Sequence, residues 1–222
     1  MEIRTITKGK DVSSVIGEII ETSSCKIVCE SLKLNHPPAF GSFIAIDSHA
    51  EIQGLDDPFE SSSIASGIVF AVVYHASTAS SETGRRATAY GLESEELHRQ
   101  QPQISELLTT DFRALIIGYS DHSQIFHCLP KIPPQLHARV RMPLQNELQL
   151  LTVSRNFIES LLQFAECEDP DELVAASIRC AALIQLSPQE YLVEAARELV
   201  TLLRDDYDRL RRILRKLEVS TQ

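Results

Sequence analysis

Histidine and cysteine side chains are the first candidates for chemistry in this 222-residue chain, which has seven histidines and five cysteines. His122, His127 and Cys128 lie close together, and Cys25 and Cys29 are separated by three residues. Zinc sites usually take their ligands from C-x-x-C turns or from histidines four positions apart on a helix. Neither spacing occurs in the sequence. We therefore predict no metal site and interpret these side chains as packed residues.

Nucleophilic and nucleotide-dependent catalysis also lack a sequence signature. The sequence contains neither the G-x-S-x-G turn that presents a catalytic serine nor the G-x-x-x-x-G-K-[ST] loop that holds nucleotide phosphates. No cysteine is paired with a histidine in a pattern that sequence can reveal. These observations predict a protein that is not an enzyme, has no cofactor and does not hydrolyse ATP or GTP.

Arginines supply two further candidates. Arg85 and Arg86 end a Ser/Thr-rich stretch, Ser77–Arg86, which is typical of an exposed loop. They can contact a phosphate or a partner's nucleotide, or they can form a solvated loop tip. A second basic cluster, Arg209–Lys216, can contact nucleic acid or can complement the dipole at the end of a helix. We favour the structural interpretation of both.

Composition limits the classes of partner. Lys and Arg number 21 against 31 Asp and Glu, a net charge of −10, which opposes binding to nucleic acid or anionic lipid. The odd number of scattered cysteines is typical of a reducing compartment. No secretory leader and no apolar run of about 18 residues are visible, so we predict a cytoplasmic protein without a membrane span.

The pattern of the sequence changes near residue 147. All eight glycines lie at or before Gly118, among short β-rich runs, whereas the remainder has the spacing of amphipathic helices. We predict an α+β protein, with a small antiparallel β-barrel in residues 1–147 and a helical bundle in residues 148–222. The composition change and the proline-rich stretch before it predict that residues 1–147 fold alone.

The β-rich half has a recognisable order of runs. Gly17 lies inside the first strand, and later runs read GSFIAID (41–47), SGIVFAVVY (66–74), FRALIIGY (112–119) and LPKIPPQLHARV (129–140). This pattern resembles the HerA–ATP synthase barrel over roughly residues 10–147. Relatives of that family carry the barrel in front of a hexameric motor ATPase domain. The missing phosphate-binding loop implies a stand-alone barrel with a different C-terminal attachment. The family's nucleotide-binding residues have no positions in this chain.

Three helices are predicted in the second half. The first spans about residues 148–165, the second begins at Asp169-Pro170, and the third runs from Ser187-Pro188 to about Leu217. The third carries two adjacent apolar stripes, a leucine-rich one and one formed by Val193, Val200, Tyr207 and Leu214. We predict that Leu210 and Leu217 join subunits if the protein forms a homo-oligomer. The alternative is that the bundle and barrel bury them.

These patterns predict an assembly or adaptor protein with a protein partner, which docks to an ATP-driven or nucleic-acid-processing complex. Two alternatives remain open. One is an enzyme or ligand-binding protein with a site between barrel and bundle, where clefts often hold ligands. The other is a DNA-processing accessory factor that uses Arg85 and Arg86.

Overall fold

The fold is α+β, as predicted. The computed structural model describes residues 15–50, 65–82, 107–121 and 124–218, together with the single positions 91, 96 and 99. A closed antiparallel β-barrel precedes a set of C-terminal helices. No helix within these ranges is both long and apolar enough to cross a bilayer.

Six strands close the barrel, in the order β2-β1-β7-β3-β4-β5 with β5 pairing back to β2. A short strand, β6, pairs only with β5 and forms a hairpin on its end. Every pairing is antiparallel. The strands are β1 Val15–Thr22, β2 Lys26–Ser31, β3 Phe43–Ala50, β4 Ala65–Ser80, β5 Leu108–Asp121, β6 Gln124–Phe126 and β7 Arg139–Arg141. Ser77–Ser80 therefore belongs to β4 and not to the predicted loop.

Strand β7 corrects the prediction that the proline-rich stretch leads the chain out of the barrel. The chain returns after Pro134, and the three residues of β7 insert between β1 and β3. Val140 at its centre is fully buried in the barrel interior. A strand of three residues is too short to show the alternation that identifies strands in a sequence.

The barrel interior is filled by alternate residues of the strands. It contains Ile19, Ile27, Cys29, Ile44, Ile46, Val69, Ala71, Val73, Phe112, Ala114, Ile116 and Val140. Successive strand residues point to opposite faces, so the intervening residues of β3, β4 and β5 point outward. The outward residues Phe43, Phe70, Val72, Leu115 and Ile117 are also buried, because helices cover this wall. Burial on both faces explains why these strands are continuous apolar runs.

The C-terminal part contains five helices where three were predicted. They are α1 Gln145–Val153, α2 Phe157–Leu162, α3 Pro170–Leu183, α4 Pro188–Leu202 and α5 Tyr207–Glu218. Asp169 caps α3 as predicted, because its side chain accepts a hydrogen bond from the Glu172 amide. The predicted first helix breaks at Arg155, whose φ of 56° is left-handed. The predicted third helix breaks between Leu202 and Tyr207.

The helices and the barrel wall share one apolar core. Phe43 packs edge-to-face on Phe157 with ring centroids 5.3 Å apart, and Tyr74 packs on Phe164 at 4.7 Å. Gly41, at φ 76°, lies so close to α3 that an added Cβ would be 2.5 Å from the Cβ of Ala176. This close packing favours one cooperative unit over the two separately folding units that we predicted.

Candidate docking groove

Two helix faces form the walls of an open groove. Helix α1 contributes Asn146, Gln149, Leu150 and Val153, and α4 with its N-cap contributes Ser187, Glu190, Tyr191 and Glu194. Both sets follow the spacing i, i+3, i+4, i+7, which places each set on one face of its helix. Arg155, Gln185 and Leu186 complete the lining. The space between these walls is about 890 Å³. We call it the α1–α4 groove.

Hydrogen bonds at Thr152 hold the two walls together. The Tyr191 hydroxyl donates to the Thr152 carbonyl at 3.0 Å, and the side-chain amide of Gln185 donates to the Thr152 hydroxyl at 2.9 Å. The side-chain amide of Gln149 donates to the Ile184 carbonyl at 2.7 Å. Burial raises the pKa of Tyr191, so its hydroxyl stays protonated and keeps donating at neutral pH. The groove is therefore fixed in shape by the fold.

The groove presents apolar side chains to solvent. Leu150 is 65% exposed, Val153 is 60% exposed and Leu186, in the turn between α3 and α4, is fully exposed. Single exposed apolar residues are ordinary, but three that line one concave surface are typical of an interaction site. They would be withdrawn from water only if another molecule occupied the groove.

Arg155 closes one end of the groove. Its guanidinium donates to Glu194 at 2.8 Å and lies 5.8 Å from the centre of the Tyr191 ring. The left-handed backbone of Arg155 lets the chain turn sharply from α1 into α2. The turn places Arg155, the only cation of the groove lining, against Glu194, one of the two carboxylates in that lining.

A serine and a histidine meet next to the groove. The Ser154 hydroxyl lies 2.7 Å from Nε2 of His127, which follows β6. The other ring nitrogen, Nδ1, is buried and makes no hydrogen bond within the described part of the chain. A buried unpaired N–H costs more than a buried lone pair, which favours the tautomer with the proton on Nε2. In that tautomer His127 donates to Ser154, and it has no lone pair with which to activate this hydroxyl.

The predicted site residues lie elsewhere. Arg85 and Arg86 fall outside the described residues. Leu210 and Leu217 are each 7% exposed and pack in the core shared with the barrel wall, so intrachain packing accounts for them without a second subunit. Neither Leu210 nor Leu217 lines the α1–α4 groove.

The basic cluster of α5 is engaged by acids at the start of α3. Arg209 and Arg212 both donate to Asp171, at 2.7 and 3.1 Å. Lys216 forms ion pairs with Asp169 and Glu172 at 2.6 and 3.1 Å. These contacts stabilise the packing of α5 on α3, and they reduce the positive charge that a nucleic acid would meet.

Within the part of the chain that the structure describes, the remaining histidines and cysteines do not converge. Cys29 is buried inside the barrel, and this burial raises the pKa of its thiol to about 12. His137 contacts Glu18 at 2.6 Å, and Cys128 is exposed. Within the described ranges no three His, Cys, Asp or Glu side chains come together as metal ligands would. His122 lies outside those ranges.

Comparison with known proteins assigns no family to this chain. No protein-family model matches it, and no curated protein matches it. The groove geometry is therefore the main basis for a functional proposal.

Sequence reasoning missed the groove because its two walls are about 40 positions apart. The one available signal was Leu186, an apolar residue directly before the polar segment Ser187-Pro188-Gln189. An apolar side chain in a turn has no helical face to join, so it indicates either a tertiary contact or a binding surface.

Proposed function

We propose that this protein is a non-enzymatic adaptor that docks a helical segment of a protein partner in the α1–α4 groove. The observation that carries the proposal is the set of exposed apolar side chains Leu150, Val153 and Leu186 along a groove between two helices. A third helix laid between two helices is a common mode of peptide recognition. Fully burying each of these side chains contributes about 2 kcal/mol, from which the entropic costs of association are subtracted.

The resemblance to the HerA–ATP synthase barrel supports an ATP-driven complex as the setting. In that family the barrel precedes a motor domain in the same chain. An adaptor without its own motor would meet the ATPase as a separate protein, and the helices provide the contact surface. This part of the proposal rests on the resemblance alone.

The geometry is less favourable to an enzyme. Ser154 and His127 are the strongest nucleophile–base pair in the described residues, but no third group orients the histidine. Turnover of a substrate that stops on Ser154→Ala substitution would replace the adaptor proposal with a catalytic one.

Quantitative affinity capture tests the adaptor proposal. The tagged full-length chain should retain one protein at fixed stoichiometry from an extract of its own cells. The double variant Leu150→Asp/Val153→Asp should lose that protein, because each carboxylate would be desolvated in the occupied groove. Both positions are more than half exposed, so the fold should survive and the melting temperature should change little.

The matched control is Val200→Asp, which makes the same chemical change at an exposed site on another face of α4. Val200 is 51% exposed and does not line the groove. The control should keep the partner. Equal loss in both variants, or retention in the groove variant, would refute docking in this groove.

A further inference from the structure

We propose that the helix docked in the α1–α4 groove carries lysine or arginine along the one edge of its apolar stripe that faces α4. This inference rests on the proposed docking function and adds the chemistry of the partner. It follows from the way in which the groove divides its apolar and acidic side chains between two walls.

The α4 wall is acidic. Glu190 and Glu194 lie one turn apart on the groove face of α4, about 6 Å along the helix axis. Glu194 is paired with Arg155, and Glu190 is exposed with no ion pair among the described residues. Two carboxylates and one arginine leave this wall with a net negative charge, in a chain that is itself at −10.

The α1 wall is apolar and neutral. Its groove face carries Leu150 and Val153 beside the amides Asn146 and Gln149, and it has no charged side chain. Leu186, in the turn that leads into α4, adds a third exposed apolar side chain to the groove lining. Leu150 and Val153 therefore set the apolar stripe of a docked helix toward α1.

Segregated walls impose an orientation on the occupant. A helix that turns its apolar stripe to Leu150 and Val153 places one flanking edge opposite Glu190 and the other edge toward solvent. A carboxylate on the inner edge would face Glu190 and be repelled, whereas a lysine or arginine would pair with it. Charge complementarity therefore selects a partner helix with a basic inner edge.

Two synthetic amphipathic helices test this inference. They share one leucine stripe and differ only in carrying lysine or glutamate along one edge of that stripe. Binding to the full-length chain is measured by fluorescence anisotropy at low and high salt. We expect the lysine-edged peptide to bind about tenfold more tightly at low salt, with a smaller difference at high salt.

Charge variants locate the effect. Glu190→Lys should reverse the preference between the two peptides. Glu190→Gln, which adds no cation at the start of α4, should reduce the preference. The matched control Glu168→Lys makes the same change at an exposed position outside the groove and should leave the preference intact.

Four outcomes would overturn the inference. Equal binding of both peptides that Leu150→Asp abolishes would refute the basic edge and leave the docking function standing. A preference that Glu168→Lys reverses as well as Glu190→Lys would show attraction to the overall charge and not to this wall. No binding of either peptide, or binding that Leu150→Asp leaves unchanged, would refute both the basic edge and the docking of a helix in this groove.

Discussion

Burial, and not reactivity, determines the role of Cys29, one of the side chains that first suggested chemistry. Cys29 faces the barrel interior with its pKa raised to about 12, so it has no thiolate at neutral pH. The Tyr191 hydroxyl donates a hydrogen bond to the Thr152 carbonyl. Residue types were readable from the sequence, but whether a histidine or cysteine lies in a site or in a core depends on tertiary packing.

His127 should make stability depend on pH in a defined range. Its burial lowers the pKa of the imidazole, so the folded protein keeps this residue neutral where an unfolded chain would protonate it. The unfolded state gains protons below about pH 6.5, so the stability that His127 contributes above that pH is lost as pH falls through the folded pKa.

The variant His127→Gln should therefore flatten the pH dependence of unfolding. Urea unfolding at intervals from pH 8 to pH 5 measures the difference between wild type and variant. The difference in the free energy of unfolding between wild type and variant should stay constant above about pH 7. As pH falls further, the wild type should lose more stability than the variant. Parallel curves over the whole range would contradict the assignment of a half-buried, neutral imidazole.

At the scale of elements, the two apolar stripes of the last helices have different roles. Leu199, Leu203, Leu210, Ile213 and Leu217 are buried in the core. Val193, Val200 and Tyr207 of the neighbouring stripe are exposed, Tyr207 by 70%. The sequence predicted both stripes but not which of them is buried. The two stripes are similarly hydrophobic, and the break between α4 and α5 changes how the stripe residues of one helix line up with those of the next.

The double variant Leu210→Glu/Leu217→Glu should lose stability and should not change its subunit count while folded. Each substitution buries a carboxylate against the core, and we expect a loss of about 3 kcal/mol or more per site. Val200→Glu combined with Tyr207→Glu is the matched exposed pair and should cost little. Dissociation of an oligomer with unchanged melting in the leucine variant would restore the predicted interface.

Helix starts were more predictable than helix breaks. Proline and aspartate mark the start of α3 by fixed backbone angles and a side-chain cap, and both signals are local. Ser187-Pro188 also marks the start of α4, although the Ser187 side chain makes no capping hydrogen bond. The helix break at Arg155 has no glycine in the sequence to mark it. The break before α5 had one weak sign, Asp206, whose side chain accepts from the Arg209 amide at 3.0 Å and caps the new helix.

At the scale of the whole molecule, the apolar outer wall of the barrel links the two halves. Residues on β3, β4 and β5 that face outward are covered by helices from the second half of the chain. Uninterrupted apolar runs in these strands were a sequence signal of burial on both faces. A free-standing barrel would have shown alternation on its solvent side, as β1 and β2 do.

The fragment 1–147 should therefore not fold as a stable monomer, contrary to the prediction from composition. Loss of the helices would expose Phe43, Phe70 and Val72 together, a contiguous apolar surface that soluble monomers rarely carry. Circular dichroism, dye binding and light scattering of the fragment measure the outcome. A monomeric β-rich fragment with a cooperative melt would show that the barrel is a separate folding unit.

Site-specific photocrosslinking tests the docking of a partner in the α1–α4 groove most directly. A photoreactive phenylalanine analogue replaces Leu186, which is fully exposed at the groove, or Val200, which is exposed on another face of α4. Irradiation in the protein's own cells should yield one discrete protein adduct at position 186 and none at position 200. Equal adducts at both positions, or no adduct at 186, would contradict the adaptor function that we propose for this protein.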